Sequence, residues 1–425
     1  MIKLLVWLGL LWLTTGLAVA QDDVLRVDTS QSLGPISPYV YGASYGPWAL
    51  VSPEMTPLAA DAGLTLLRFP GGNWGDQFDL QPGQIDLFML QARAWGAEPS
   101  ISTRMVGGSP EQSADLVRYT NLEKDYNVRY WSIGNEPTLY EGYTIARFNE
   151  EWRAHAEAML AVDPDLVLIG PEVHQYPSTE DPNDYHVPMR EWVREFLRAN
   201  GDLVDIVSIH RYPFPVSSQS TTTIDDLRAN SAETDTMIAL LRQDIQEAVG
   251  REMPIAVTEM NSHYTNTGGG EASPDSFYNA IWWADVLGRL IRQRVEIVSY
   301  FALSASVNSG LGMLARYEPR PTYYVYQLYK RFGTELLESS SSNPDISIYA
   351  ARRDDGALTL MVVNLGPDER SMTLQIADFT PEGEAEVWRF DAEHNAEQLG
   401  TEQIKNDGTI TVPGQSITLY IVMGQ

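Results

Sequence analysis

The chain has no cysteine among its 425 residues. Disulfide staples, thiolate metal centres and thiol nucleophiles are excluded, and stability must come from core packing alone. Basic residues are scarce: 29 Lys and Arg stand against 57 Asp and Glu, for a formal charge of −28. A surface of that sign repels nucleic acid and anionic lipid, so neither is expected as a partner. Histidine is thin too, with 6 scattered residues and no His-Glu-x-x-His or comparable pair, so neither a catalytic metal nor a cofactor is expected. No Gly-rich phosphate loop follows the first strand-like run, which weighs against an open dinucleotide-binding sheet. Long apolar runs are confined to the start. "MIKLLVWLGLLWLTTGLAVA" (1–20) combines Lys3, an apolar stretch from Leu4 to Leu13 and an Ala18-Val19-Ala20 end. That is the build of a secretory signal peptide cut before Gln21. Its apolar stretch is shorter than the roughly 20 residues of a bilayer span. The rest of the chain is expected outside the cytoplasm, secreted or periplasmic, and off the membrane after cleavage.

Aromatic residues, by contrast, are plentiful: 11 Trp and 21 Tyr exceed what a core usually takes. Sugar rings stack on such side chains because their axial C–H faces are apolar. Eight short apolar runs alternate with amphipathic segments. They are "VYGASYG" (40–46), "LTLLRFP" (64–70), "PSISTRM" (99–105), "RYWSIGNE" (129–136), "DLVLIGPE" (165–172), "VDIVSIHRY" (204–212), "PIAVTEMN" (254–261) and "EIVSYFALS" (296–304). Intervening stretches such as 147–162 and 278–294 carry apolar residues at three- and four-residue spacing, the period of a helix. Strands that are apolar throughout and alternate with helices imply a parallel sheet covered on its faces. Eight such units fit a (β/α)8 TIM barrel, expected over 39–337. The composition changes at the polar "ESSSSNPD" (338–345), which reads as a linker. Beyond it, alternating runs divided by "DDG", "GPDE" and "NDG" predict a small antiparallel β-sandwich over 338–425. The early run "DVLRVD" (23–28), within 21–38, is expected to pair into that sandwich.

Active sites of such barrels lie at the C-terminal ends of the strands. There the sequence places Arg68 with Asn73 just beyond, Arg104, Asn135 with Glu136, Glu172, His210 with Tyr212, and Glu259 with Asn261. A packed core needs no such set. A carboxylate closing an apolar strand is costly unless something requires it. Two carboxylates flanked by Arg, Asn, His and Tyr are the equipment of glycosidic bond cleavage. The fourth and seventh strands face each other across an eight-strand barrel, so Glu136 and Glu259 can converge over its mouth.

"WSIGNEP" and "IAVTEMN" resemble the strand-4 and strand-7 signatures of the clan A retaining (β/α)8 glycoside hydrolases. That resemblance implies Glu136 as acid/base, Glu259 as nucleophile and Asn135 as the partner of the substrate 2-hydroxyl. "SIHRYP" resembles the clan's strand-6 motif, which implies that His210 and Tyr212 orient the carboxylates. "LRFPGGNWGDQF" resembles the strand-2 motif of the α-L-arabinofuranosidases, which implies contact of Arg68 with the nucleophile and of Asn73 with sugar. In layout the chain is most similar to the endoglucanase and xyloglucanase family, which also joins a barrel to a β-sandwich. It departs from the arabinofuranosidases in "YGASYGPW", where their sugar-binding Glu is absent, and from the clan in lacking Trp at strand 8, where Tyr300 or Phe301 could stand in. The expected activity is hydrolysis of β-linked neutral plant-type polysaccharide or oligosaccharide. The alternatives are an exo-acting α-L-arabinofuranosidase or β-xylosidase, and a non-catalytic carbohydrate-binding barrel.

Trp48, Trp74, Tyr140 and Tyr264 follow strands directly and are either stacking platforms for sugar or rim packing. Glu172 is expected to cap the segment after it. Arg104 either binds sugar or pairs with a neighbouring carboxylate. Trp282 and Trp283 are expected in the core.

Overall fold

The computed structural model describes residues 23–214, 221–265, 267–315 and 317–424. The expected signal peptide (1–20) lies outside them. Among the described residues, no helix is long and apolar enough to cross a membrane.

Each of the eight apolar runs forms one strand of a closed parallel barrel. In order, barrel strands 1 to 8 are Gly42–Ser44, Leu66–Phe69, Glu98–Thr103, Tyr130–Ile133, Val167–Val173, Ile206–Arg211, Ile255–Met260 and Ile297–Tyr300. The two helices read from their periodicity are Ile145–Leu160 and Phe277–Arg292. Leu66, Tyr130, Ile169, Ile206, Ala256 and Ile297 pack together as an apolar plug inside the barrel. Side chains two residues further along a strand share its face. On that next tier the sequence changes character at five of the six positions, to Arg68, Ser132, Ser208, Thr258 and Ser299, all buried, with Pro171 the exception. The barrel interior thus turns from apolar to polar toward the C-terminal ends of its strands.

Two irregularities re-aim side chains at this upper rim. Strand 7 holds one extra residue between Val257 and Met260 relative to both neighbours, since Ile209 and His210 pair with Val257 and Glu259, and Val298 and Tyr300 with Val257 and Met260. Alternation would send Glu259 to the face opposite Thr258; the bulge lets both point inward. Strand 5 likewise gains one residue at Glu172, because Pro171 and Val173 pair with the consecutive Ser208 and Ile209.

The second unit is one open nine-stranded sheet folded over a single apolar core, with Val24–Pro35 between Glu335–Ser341 and Arg370–Ala377. The Val24–Pro35 strand runs antiparallel to the former and parallel to the latter, so the sheet is not purely antiparallel. Leu25 and Val27 meet Leu360, Val362, Leu374 and Ile410 in its core. Glu338–Ser341, read as linker, are instead the second half of a strand, with Ser339 facing inward and paired with Val27. The expected boundary between residues 337 and 338 therefore falls inside an element. Small polar residues disguised its alternation. Strand Asn395–Glu402 was not anticipated either: it is exposed at all but one position and carries no apolar alternation.

Helix Phe277–Arg292 lies between barrel and sandwich and is buried nearly all round, Trp282 and Trp283 completely. Tyr349 of the sandwich donates its hydroxyl to Asp285 Oδ1 of this helix at 2.6 Å, and Asp285 pairs with Arg289 at 2.9 Å. Gly288 sits directly beneath that tyrosine ring: a Cβ there would come within 2.2 Å of it. In an exposed helix, Gly→Ala adds about 1 kcal/mol of stability. Here Gly288→Ala should instead cost about 1–3 kcal/mol through overpacking. Thermal unfolding reads the sign directly, and a raised midpoint would contradict this seam.

Candidate active site

The strand ends and the loops after them carry nine of the residues singled out from the sequence: Arg68, Asn73 and Trp74 from strand 2 and its loop, Asn135 and Glu136 from strand 4, His210 and Tyr212 from strand 6, and Glu259 and Tyr264 from strand 7 and its loop. Glu259 is nearly buried and saturated with donors. Its Oε1 accepts from Arg68 Nη1 at 2.8 Å and from the Gly72 amide at 2.7 Å, and its Oε2 accepts from the Tyr212 hydroxyl at 2.8 Å. Gly72 adopts φ +64, and a Cβ there would come within 3.1 Å of the Phe301 ring. Only glycine fits that approach without strain.

Glu136 follows strand 4 after a turn at Gly134 (φ +78) and itself adopts φ +49. That is a costly conformation for a residue with a Cβ, of the kind that collects at functional sites. Its amide donates to the Glu172 carbonyl at 3.0 Å, and its Oε1 lies 3.0 Å from His210 Nδ1. An oxygen of Glu136, an oxygen of Glu259 and a ring nitrogen of His210 all lie within 4.8 Å of one another. Asn135 accepts from Arg68 Nη2 at 2.8 Å and donates to Asn73 Oδ1 at 2.9 Å, which links both asparagines to the same guanidinium.

Glu172 corrects the sequence reading. It caps no helix. Its fully buried carboxylate lies under the site, with Oε2 2.7 Å from His210 Nε2 and 3.6 Å from Arg68 Nη2. Ser132 donates to its Oε1 at 2.5 Å and Thr258 to its Oε2. Burial alone would raise this carboxyl, but Arg68 and His210, with the hydrogen bonds, outweigh it and hold the group down at about 2. Burial also opposes charge on His210, yet Glu259, Glu136 and Glu172 prevail and lift the imidazole to about 9. His210 is therefore biased toward the imidazolium, with a glutamate oxygen at each ring nitrogen. Tyr212 is pushed well above its ordinary value by burial and then by Glu259 and Glu136, so it stays a donor.

Asp76 is a second buried acid that the sequence reading passed over. It accepts from the Asn135 amide at 2.8 Å, the Met105 amide at 3.1 Å and the Tyr140 hydroxyl, and so ties the turn of strand 4 to that of strand 3. Tyr140 is thereby half-buried rim packing. Arg104 points away from the carboxylates and pairs with Asp79 at 3.2 Å. Asn261 is fully buried and donates to the Phe301 carbonyl at 2.8 Å, a bond between strand ends. Beside the carboxylates runs a groove of about 670 Å³ walled by Trp48, Asn73, Trp74, Tyr264 and Phe301. Trp48 stacks on Phe301 with ring centroids 5.9 Å apart and planes 19° apart. Phe301 lines this groove, while Tyr300 is fully buried.

Arg68 is 1 % exposed and holds both Glu259 and Glu172. Removing one member of such a buried ion cluster typically costs 3–5 kcal/mol. Arg68→Met should lose about that much at neutral pH. The Glu172 contribution is present above its ordinary 4.5 and lost as pH falls toward about 2. The variant has already forfeited it, so its deficit should narrow on acidification. Chemical denaturation across pH checks this, and a deficit independent of pH would contradict it.

No family model matches the chain. Among curated proteins it is 26% identical over 260 residues to a heparanase of Bos taurus, covering 57% of this chain and 45% of that one. The chain thus spans about half the length of the heparanases it matches. It is also 22% identical over 472 residues to alpha-L-arabinofuranosidase C of Emericella nidulans, covering 89% of this chain and 91% of that one. Three solved structures superpose along nearly the whole length. An alpha-L-arabinofuranosidase of Thermotoga maritima gives a TM-score of 0.76 at 17% identity, covering 95% of this chain and 100% of that one. A bifunctional glucanase-xylanase from a metagenome library gives 0.73 at 18% identity, over 95% and 99%. A xyloglucanase of glycoside hydrolase family 44 from Paenibacillus polymyxa gives 0.72 at 16% identity, over 95% and 100%. The chain has the fold of the clan A (β/α)8 glycoside hydrolases that carry a C-terminal β-sandwich.

Proposed function

We propose that this chain is a secreted retaining glycoside hydrolase that cleaves β-linked bonds in neutral polysaccharide by double displacement. The observation that carries the reading is the approach of Glu136 and Glu259, with an oxygen of each and a nitrogen of His210 all within 4.8 Å of one another. Retaining enzymes hold their carboxyl groups about 5–5.5 Å apart, whereas inverting ones leave about 6.5–9.5 Å for a water.

Charge supports the division of labour. Glu136, Glu172 and Glu259 face only Arg68 and His210, so the cluster is neutral when it holds one further proton. Glu172 has two cations and two hydroxyl donors around it, and Glu259 has three donors on its carboxylate. Glu136, the most exposed of the three carboxyl side chains, is left as the proton donor to the leaving group. Oε1 of Glu259 is committed to Arg68 and Gly72, leaving Oε2 to attack the anomeric carbon. As that C–O bond forms, the bond to the leaving oxygen breaks and the oxygen takes the Glu136 proton. In the second half, Glu136 takes a proton from water while the water oxygen displaces Glu259 from the anomeric carbon.

Among the described residues walling the groove none is charged. Together with the net charge of −28, this favours an uncharged glycan over a polyanion. A second reading, an exo-acting arabinofuranosidase, draws on the long alignment with the Emericella nidulans protein and on "RFPGGN". The absence of a carboxylate after strand 1 counts against it.

Glu259→Ala should abolish hydrolysis of every substrate. Glu136→Ala should spare aryl glycosides with activated leaving groups, and azide should restore turnover by replacing the missing base. Release of the chromophore by each variant reads this. Equal loss on all leaving groups without azide rescue contradicts the assignment, and binding without turnover by the unaltered chain would mark a carbohydrate-binding barrel.

A further inference from the structure

We infer that Glu172 is a positioning residue for the acid/base, fixing Glu136 through His210 on one side and through the peptide backbone on the other. The inference rests on the reading of Glu136 given above. Glu172 touches no groove and is fully buried, so it acts only through neighbours. The links run Glu172 Oε2 to His210 Nε2 at 2.7 Å, then His210 Nδ1 to Glu136 Oε1 at 3.0 Å. In parallel, the Glu172 carbonyl accepts the Glu136 amide at 3.0 Å. The Glu172 amide is itself held by Ser208 Oγ at 3.0 Å. The extra residue in strand 5 and a left-handed φ of +58 turn its carboxylate into the barrel. That is backbone strain of the kind that collects at functional sites.

A glutamine would fit the same space and keep a hydrogen bond to the ring. What the charge adds is chemical. A neutral imidazole can present a bare nitrogen at Nδ1, and a protonated Glu136 would then donate to it in competition with the leaving-group oxygen. With an ionised partner fixed at Nε2, both ring nitrogens keep their protons and Nδ1 can only donate. The Glu136 proton is then free to go to the substrate alone. The charged groups facing His210 are Glu136 from strand 4, Glu172 from strand 5 and Glu259 from strand 7 at 3.7 Å. Arg68 lies behind two of them, and Tyr212 stays protonated. His174 is held down at about 4 by burial, by His186 and by His210. Glu172 is the one acid of the three that takes no part in bond making, and so the one free to hold this charge throughout turnover.

Imidazole ¹⁵N NMR of the ring-labelled chain, titrated without substrate, tests this apart from any glycosidase activity. In the unaltered protein the His210 nitrogens should keep imidazolium shifts past pH 8. In Glu172→Gln the midpoint should fall by about one to three pH units, and kcat by about 100-fold with KM little changed. Glu172→Asp should recover the imidazolium signature and part of kcat. His210 titrating near pH 6.5 in the unaltered protein overturns the inference even if the variants fail to fold. So does a Glu172→Gln variant whose His210 titration and kcat are unchanged. Failure of the hydrolase reading would appear differently, as absence of turnover with the His210 shifts intact.

Discussion

The upper rim of this barrel depends on one buried guanidinium. Arg68 reaches Glu259 at 2.8 Å, Asn135 at 2.8 Å and Glu172 at 3.6 Å while almost wholly hidden from water. A charge so placed is tolerable only if its partners are present and well aligned. The same holds for each partner in turn. Glu172 needs Arg68 and His210, and His210 needs the acids around it. The groups contributed by strands 2, 4, 5, 6 and 7 therefore form one electrostatic unit. Its geometry is set before any substrate arrives, which is the condition for fixed dipoles and charges to lower a barrier.

The barrel supplies that unit by a gradient along its strands. Apolar side chains fill the lower interior and small hydroxyl residues the tier above, so that Ser132 and Thr258 donate to the Glu172 carboxylate and Ser208 accepts from the Glu172 amide. The bulges in strands 5 and 7 then break strict alternation where two carboxylates must be brought inward. The sandwich supports this from outside. It buries the helix between strands 7 and 8 through Tyr349 and Asp285, which backs the strands that carry Glu259 and Phe301.

Much of this was legible in the sequence. All eight strands were visible because barrel strands are apolar on both faces and read as continuous runs. Glu136, Glu259, Arg68 and His210 were visible because charged residues at such strand ends are hard to explain as packing. What was hidden depended on register. Glu172 sits where simple alternation gives no reason to place a carboxylate inside, and only the added residue in strand 5 does so. Asp76 lies in a short helical turn, and its partners are main-chain amides, which no side-chain pattern reveals. The serine run 339–342 reads as linker because its strand alternates among small polar residues. Asn395–Glu402 is a strand through its main-chain pairing with Ala385–Phe390 and not through any apolar face of its own.

The central claim is that two acidic side chains converge closely enough for one to bond directly to the sugar. The stereochemistry of the first-formed product tests it most directly. Proton NMR of a hydrolysis followed from its first turnovers, before mutarotation, should show the anomer of the starting linkage appearing first. Appearance of the opposite anomer would mean that water, and not Glu259, attacks the sugar, and would contradict the account.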